Sequence, residues 1–345
     1  MQFPNHKYIL MIPTPLVHTS RGTSAVQHIE NIHYGAVAVV DRAGKLIASA
    51  GDAHFQTFSR STIKPFQATP FINAGGVAEL GLIQQEVALL CSSHSGEAFH
   101  IESAASILTK GKSRSEELQC GCHEPLFFGA TQQHSPAHAV WSALHNNCSG
   151  KHAGFLAWCE LHGTRKERYL DDVAPLQQAI RRSLSIWCDV KEEQFAAGID
   201  GCSAPNYALP LSGLALGYAR LADKRGGDTA KLLFDAMTEH PEYVSGTGRH
   251  DLAFMKTRPK DWVAKIGADG VQLIGIRSAG LGIAVKISDG NQRAVICAAI
   301  EVLRQMGQLD DLADTALAPW ATPAIVNVSG VQTGQVKPVF TLKMH

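Results

Sequence analysis

Short apolar runs broken by glycine stand at both ends of this chain, and helix-compatible sequence fills the middle. That distribution limits the fold more than any single motif does. Residues 33–40 (HYGAVAVV) and 45–50 flank the polar turn Asp41-Arg42-Ala43-Gly44, the pattern of a β-hairpin. A buried helix is the competing reading, and it fails on length and on the glycine. Residues 8–12, between Pro4 and Pro13, read as a first strand. Near the other end, residues 262–266, 271–278 and 281–287 are apolar runs punctuated by Gly270, Gly280 and Gly290, as neighbouring antiparallel strands would be. A helix over 293–306 follows, then a strand over 324–328. Between the ends, helices are predicted over 61–74, closed by Gly75-Gly76, and over 84–90, 101–110, 151–162, 171–188, 211–223 and 229–240. The expected fold class is therefore α+β, an antiparallel sheet from both chain ends with inserted helices. Residues 1–60 plus 241–345 would hold the sheet and 61–240 the mainly helical part, as one discontinuous unit.

A chain of 345 residues that is 45% hydrophobic can bury a sizeable core. Its 31 Lys+Arg balance 31 Asp+Glu, which argues against a nucleic-acid or membrane-surface partner and for a small molecule. No run approaches the roughly 20 apolar residues that span a bilayer, and residues 8–12 are too short for a signal peptide. A cytoplasmic protein is expected, so the eight cysteines (91, 120, 122, 148, 159, 188, 202 and 297) should be thiols or ligands rather than disulfides.

The clearest chemistry lies in Ser59-Arg60-Ser61-Thr62-Ile63-Lys64-Pro65-Phe66. A serine hydroxyl needs a base to become a nucleophile, and a lysine serves when burial or nearby positive charge lowers its pKa. Positions i and i+3 share a helix face, so Lys64 could reach back to Ser61. Backbone N–H groups at the helix start could receive an oxyanion. A Ser-x-x-Lys match arises about once by chance in a chain this long, and the plain alternative is a surface lysine after an N-cap serine. Arg60 could depress the lysine or hold a carboxylate.

Other polar clusters stand elsewhere. Residues 91–97 crowd Ser92, Ser93, His94, Ser95 and Glu97 before a helix, where a serine cap is the ordinary explanation. Residues 145–154 hold two His, two Asn, a Cys, a Ser and a Lys, and residues 198–206 hold Asp200 and Cys202. Neither loop has C-x-x-C spacing, so a structural tetrahedral zinc is not written into them, and buried cysteines that bind nothing explain them equally well. Residues 245–249 resemble a phosphate loop without its Lys-Ser/Thr ending, and better suit a flexible loop presenting Arg249 to a carboxylate. Lys265 stands at a strand end before a turn.

Taken in order, Arg60-Ser61-x-x-Lys64-Pro65, Ser93-His94-Ser95-Gly96-Glu97, His145-Asn-Asn-Cys148-Ser-Gly-Lys151-His152, Asp200-Gly-Cys202-x-x-Pro205, Gly246-x-Gly248-Arg249 and Lys265-x-Gly-Ala resemble the L-asparaginase II family, the Rhizobium etli type or class 3 asparaginases. The likeness runs from the N-terminal hairpin through Lys286. It implies a fold like that of serine β-lactamases and penicillin-binding proteins, a homodimer, and hydrolysis of L-asparagine to L-aspartate and ammonia. It further implies that Ser61–Lys64 and Ser93–Lys265 are two catalytic Ser-Lys pairs. Cys148, Lys151 and Cys202 would be ligands of a metal, normally zinc, and Arg60, His152, Asp200 and Arg249 would line the substrate site. Two other readings carry weight: a β-lactamase-like Ser-Lys acyl hydrolase, against which the absence of Lys-Thr-Gly counts, and a non-catalytic zinc or amino-acid binding protein.

Overall fold

The computed structural model describes residues 14–22, 26–223 and 226–345, and the strand expected over 8–12 lies outside them. The first described strand is β1, Thr14–Gly22, and it is followed by β2, Gln27–Asp41, and β3, Leu46–Ala50. The hairpin closes as expected, with Asp41 Oδ1 accepting from the N–H groups of Ala43 and Lys45. Two further strands, β4 (Gln56–Phe58) and β5 (Ala196–Ile199), join β6 (Pro205–Pro210) in a small sheet of order β4-β6-β5. Near the C-terminus come β7 (Trp262–Gly267), β8 (Val271–Ile276), β9 (Leu281–Ile287), β10 (Ala324–Val326), β11 (Gln332–Pro338) and β12 (Lys343–Met344).

The main sheet runs β10-β11-β1-β2-β9-β8-β7, with β3 on β2 and β12 on β3, and every pairing is antiparallel. Both chain ends therefore build one sheet, and the fold class is α+β as expected. Its centre is the Ala36-Val-Ala-Val-Val40 stretch of β2, hydrogen-bonded to β3 on one edge and β9 on the other. These five residues are at most 1% exposed, so both faces of the sheet are covered here. That coverage explains why the run is continuously apolar rather than alternating.

The helix Leu211–Ala222 lies on the sheet so closely that β9 and β8 need glycine beneath it. A Cβ on Gly282 would stand 1.9 Å from the Ala215 carbonyl oxygen, and one on Gly275 would stand 2.5 Å from that of Tyr218. Both obstacles are backbone and cannot rotate away. Gly282→Ala is expected to cost about 3 kcal/mol in urea unfolding, the upper part of the overpacking range. A loss below about 1 kcal/mol would mean that the helix can retreat from the sheet.

The helices Lys64–Asn73 and Ser149–Leu161 are buried on nearly all sides and lack a polar stripe. They sit in the interior and carry Lys64 and Lys151 with them. The helix expected from residue 171 begins at Pro175, a residue suited to a first turn. Gln292–Gln305 is capped by Asn291, whose side chain accepts the Ala294 N–H at 3.0 Å. The segment 198–206, read as a loop, is a turn over 200–204 with the paired ends of β5 and β6 on either side of it.

Candidate active site

The turn at Ser61 is locked from several directions. After β4 the chain swings into the left-handed region at Arg60, φ +51°, an uncommon conformation for a residue with a Cβ. Asn206 on β6 brackets that residue: its Oδ1 accepts the Arg60 N–H at 3.0 Å and its Nδ2 donates to the Arg60 carbonyl at 3.1 Å. Residues Arg60–Ile63 then form a single 3₁₀ turn, and the α-helix starts at Lys64 rather than at Ser61. The Tyr218 hydroxyl, from the helix lying on the sheet, donates to the Thr62 carbonyl at 2.8 Å. On the other side the end of β7 presses on the turn. A Cβ on Gly267 would be 3.0 Å from both the Ser59 carbonyl oxygen and Arg60 Cβ, so a glycine there lets β7 close on the site.

Ser61 and Lys64 stand three residues apart on a 3₁₀ turn, where side chains at that spacing eclipse, yet the lysine amine spends its hydrogen bonds elsewhere. Among the described residues no hydrogen bond joins Ser61 to Lys64. Lys64 Nζ donates instead to Ser93 Oγ at 2.9 Å and to the Ser92 carbonyl. Lys265 on β7 donates to the same Ser93 Oγ, also at 2.9 Å, and to the Ile266 carbonyl at 2.9 Å. Both lysines are wholly buried and Ser93 is 6% exposed. One hydroxyl thus lies between two amines in a place with little water. Burial brings Lys265 down to about 7, with Lys64 and Arg249 adding to the effect and Asp251 opposing it. Ser93 caps nothing, because the next helix starts at Ala98 behind Glu97.

A cavity of about 320 Å³ opens on this group. Ser61, Ser93, Asn147, Arg249, Asp269 and Gln292 are in its wall. Arg249 arrives on the loop 245–248, which Glu97 anchors by accepting the Thr247 N–H at 2.9 Å and its hydroxyl at 2.8 Å. Ser95 adds a bond to the Ser245 carbonyl at 2.9 Å. Among the described residues the Arg249 guanidinium has no hydrogen-bond or ion-pair partner, so it faces the cavity available to an anion. A second cavity, about 520 Å³, meets the first at Leu126, Arg249 and Gln292.

The remaining predicted residues gather beside the cavity, behind Asn147. Cys148, Lys151 and Cys202 meet there, with Lys151 Nζ donating to Cys202 Sγ at 3.1 Å and the Cys148 thiol donating to Asn147 Oδ1 at 2.9 Å. All three are at most 5% exposed. The neighbouring Cys148 thiol and the Lys151 ammonium hold Cys202 well below the usual thiol range, and Cys148 is pushed up by Cys202 and by burial. Burial alone would lower Lys151, but the Cys202 and Cys148 sulfurs outweigh it and raise the amine. His152 is fully buried; its Nδ1 is 2.7 Å from the Tyr169 hydroxyl, and its Nε2 has no hydrogen-bond partner.

Arg60 and Asp200, expected at the substrate, are paired to each other at 2.8 Å, and Arg60 also bonds Asp269. They fix the Ser61 turn to both sheets. Of the four residues expected at the substrate, Arg249 lines the cavity. Sequence reasoning missed Asn147 as a wall residue, although it stands inside a quoted motif, and missed Gln292 and Asp251. Nothing in their local sequence marks the last two, since packing alone brings them to the site.

Comparison with known proteins adds to this geometry. No curated protein matches the chain. Similar solved structures include a β-lactamase from Mycobacterium bovis, at 13% identity and TM-score 0.34 over 79% of this chain and 94% of that one. They also include Mglu in its native form in 4.3 M NaCl, at 17% identity and TM-score 0.37 over 80% of this chain and 62% of that one. Superpositions this loose carry no argument about chemistry. The family model described as L-asparaginase II matches residues 17–338. That match takes in both sheet-forming ends and all the helices between them, and on it the chain belongs to the L-asparaginase II family of amidohydrolases.

Proposed function

We propose that the protein hydrolyses the side-chain amide of L-asparagine through an acyl-enzyme on Ser61, with Ser93, Lys64 and Lys265 moving the protons. The observation that carries this reading is the Ser93 hydroxyl held 2.9 Å from two buried lysine amines in a cavity whose wall also contains Ser61. The Ser61 hydroxyl proton passes to the Ser93–lysine group as Ser61 Oγ bonds to the amide carbon. Backbone N–H groups of the Ser61 turn receive the charge on the former carbonyl oxygen. The C–N bond breaks, the departing nitrogen takes a proton back from the same group, and ammonia leaves. Water then loses a proton to this group and attacks the ester, which frees aspartate and restores Ser61. The unpaired Arg249 guanidinium suits the α-carboxylate of the substrate.

Zinc fits the neighbouring cluster by donor chemistry: two thiols and an amine, with the orphaned Nε2 of His152 close by. Among the described residues no three His, Cys, Asp or Glu side chains form a metal-binding group, so Lys151 would have to be the third ligand and give up its proton. When bound, zinc would supply a fixed positive centre that orients the substrate. Ammonia release from asparagine and from glutamine, with and without a chelator, tests the reading, and no release from either substrate would overturn it. Elemental analysis is expected to find zinc in the purified protein and to find it lost in Cys202→Ser. Equal zinc in both would remove Cys202 as a ligand.

A further inference from the structure

Asp251 is the second residue of the helix His250–Thr257 and is 1% exposed. Its carboxylate cannot swing. Oδ2 accepts the Ile266 N–H at 2.9 Å, and Oδ1 accepts from Gln272 Nε2 at 3.2 Å. These bonds hold Oδ2 3.7 Å from Lys265 Nζ, outside hydrogen-bond range but close enough for a strong charge interaction where water is scarce. Lys265 spends its own hydrogen bonds on Ser93 and on the Ile266 carbonyl. The peptide between Ile266 and its neighbours thus ties carboxylate and ammonium to the same strand.

The other groups facing Lys265 set what the carboxylate must offset. Lys64 shares Ser93 from the helix Lys64–Asn73, and Arg249 comes from the adjoining loop. Cys91, Cys148 and His250 also face it. Burial keeps His250 down at about 4, so it is neutral at neutral pH, and burial holds the Cys91 thiol protonated, up to about 12. Asp251 is the larger of the two influences that raise Lys265 against burial, Lys64 and Arg249, the Cys148 sulfur being the smaller. Without the carboxylate the amine would be a weaker base: it would take the proton of Ser61 less readily and hold it less well until the departing nitrogen receives it.

We infer that Asp251 is a positioning residue that holds Lys265 against Ser93 and lets it keep a proton between the two halves of the reaction. The inference rests on the Ser-Lys reading above. It also accounts for a buried carboxylate that Lys265 and His250 hold low against the cost of burial.

Asp251→Asn removes the charge and should fold. The remaining oxygen can accept the Ile266 N–H, and the new amide can donate to a flipped Gln272, whose Oε1 has no partner now, at the cost of the bond from Gln272 Nε2 to the Leu273 carbonyl. Two measurements follow. Titration of the Lys265 side chain by NMR, assigned by its loss in Lys265→Met, should show a midpoint lower by about one to two pH units in D251N. The acid limb of kcat/KM should move down with it while the plateau falls about 10- to 100-fold. Asp251→Glu keeps the charge and is expected to keep the wild-type midpoint, whatever its rate. An unmoved midpoint in D251N, or one that falls in D251E as well, overturns the inference, and Asp251→Ser, which also removes the charge, gives the same reading where D251N fails to fold. The NMR midpoint is read without turnover, so an inactive wild-type protein would refute the Ser-Lys reading and still leave Asp251 judged.

Discussion

Replacing Ser61 with alanine is expected to lower kcat for ammonia release from asparagine by about four orders of magnitude or more, since members of a nucleophile–base unit fail together. The fold should survive, because the turn is held by the Arg60, Thr62 and Asn206 backbone and side-chain bonds and not by the Ser61 hydroxyl. Ser93→Ala is expected to be nearly as damaging, since it cuts the one hydroxyl on which both lysines converge. Adding the second substitution to the first should cost little more. The distinguishing measurement is the mass of the denatured protein after brief mixing with asparagine. An aspartyl adduct on the Ser61 peptide in the wild type or in Ser93→Ala supports the assignment. An adduct on Ser93, or near-normal turnover in Ser61→Ala, would exchange the roles of the two serines.

Lys265→Met is expected to reduce kcat/KM by about a thousandfold, the scale of a lost general base and acid. The wild-type pH profile should carry the sign of this group. Lys265 loses its proton near 7, well below the ordinary lysine range, because it is buried. Below that pH it is charged and cannot take the proton of Ser61, so kcat/KM should fall; above it the amine is neutral and the rate should level off. In Lys265→Met that limb should vanish along with most of the rate. A wild-type profile flat between about pH 5 and 8 would exclude a lysine with this midpoint from the rate-limiting proton transfer.

Much of the architecture could be read in advance. The 33–50 hairpin, the runs that became β7, β8 and β9, and the helices starting near Gln84, Leu211 and Gln292 follow local patterning, because period and turn residues act over a few positions. The strands that escaped lack that signal. Thr14–Gly22 and Gln332–Pro338 are polar and carry prolines, and they are held as strands by pairing with each other across the length of the chain and with β2 and β10 on their other edges. The hairpin of β5 and β6 contains Gly198, Pro205 and Pro210, residues that read as loop anywhere else.

Candidate site residues divide the same way. The sequence by itself determined which residue types were on hand: two serines, two lysines, an arginine, and two cysteines with a third lysine. Their burial was not legible in advance, since a surface lysine after a cap and an arginine on a flexible loop fit the same local sequence. Which of them touch was decided only by the tertiary structure. Helical spacing put Lys64 on Ser61, but the packed interior offers its amine the Ser93 hydroxyl, where Lys265 arrives from β7. Asp251, with no local pattern to mark it, came to Lys265 because β7 and the helix before it share one interior face. Spacing reports on neighbours along one element, whereas a cluster of buried polar side chains assembled from four elements depends on packing distances that no local pattern encodes.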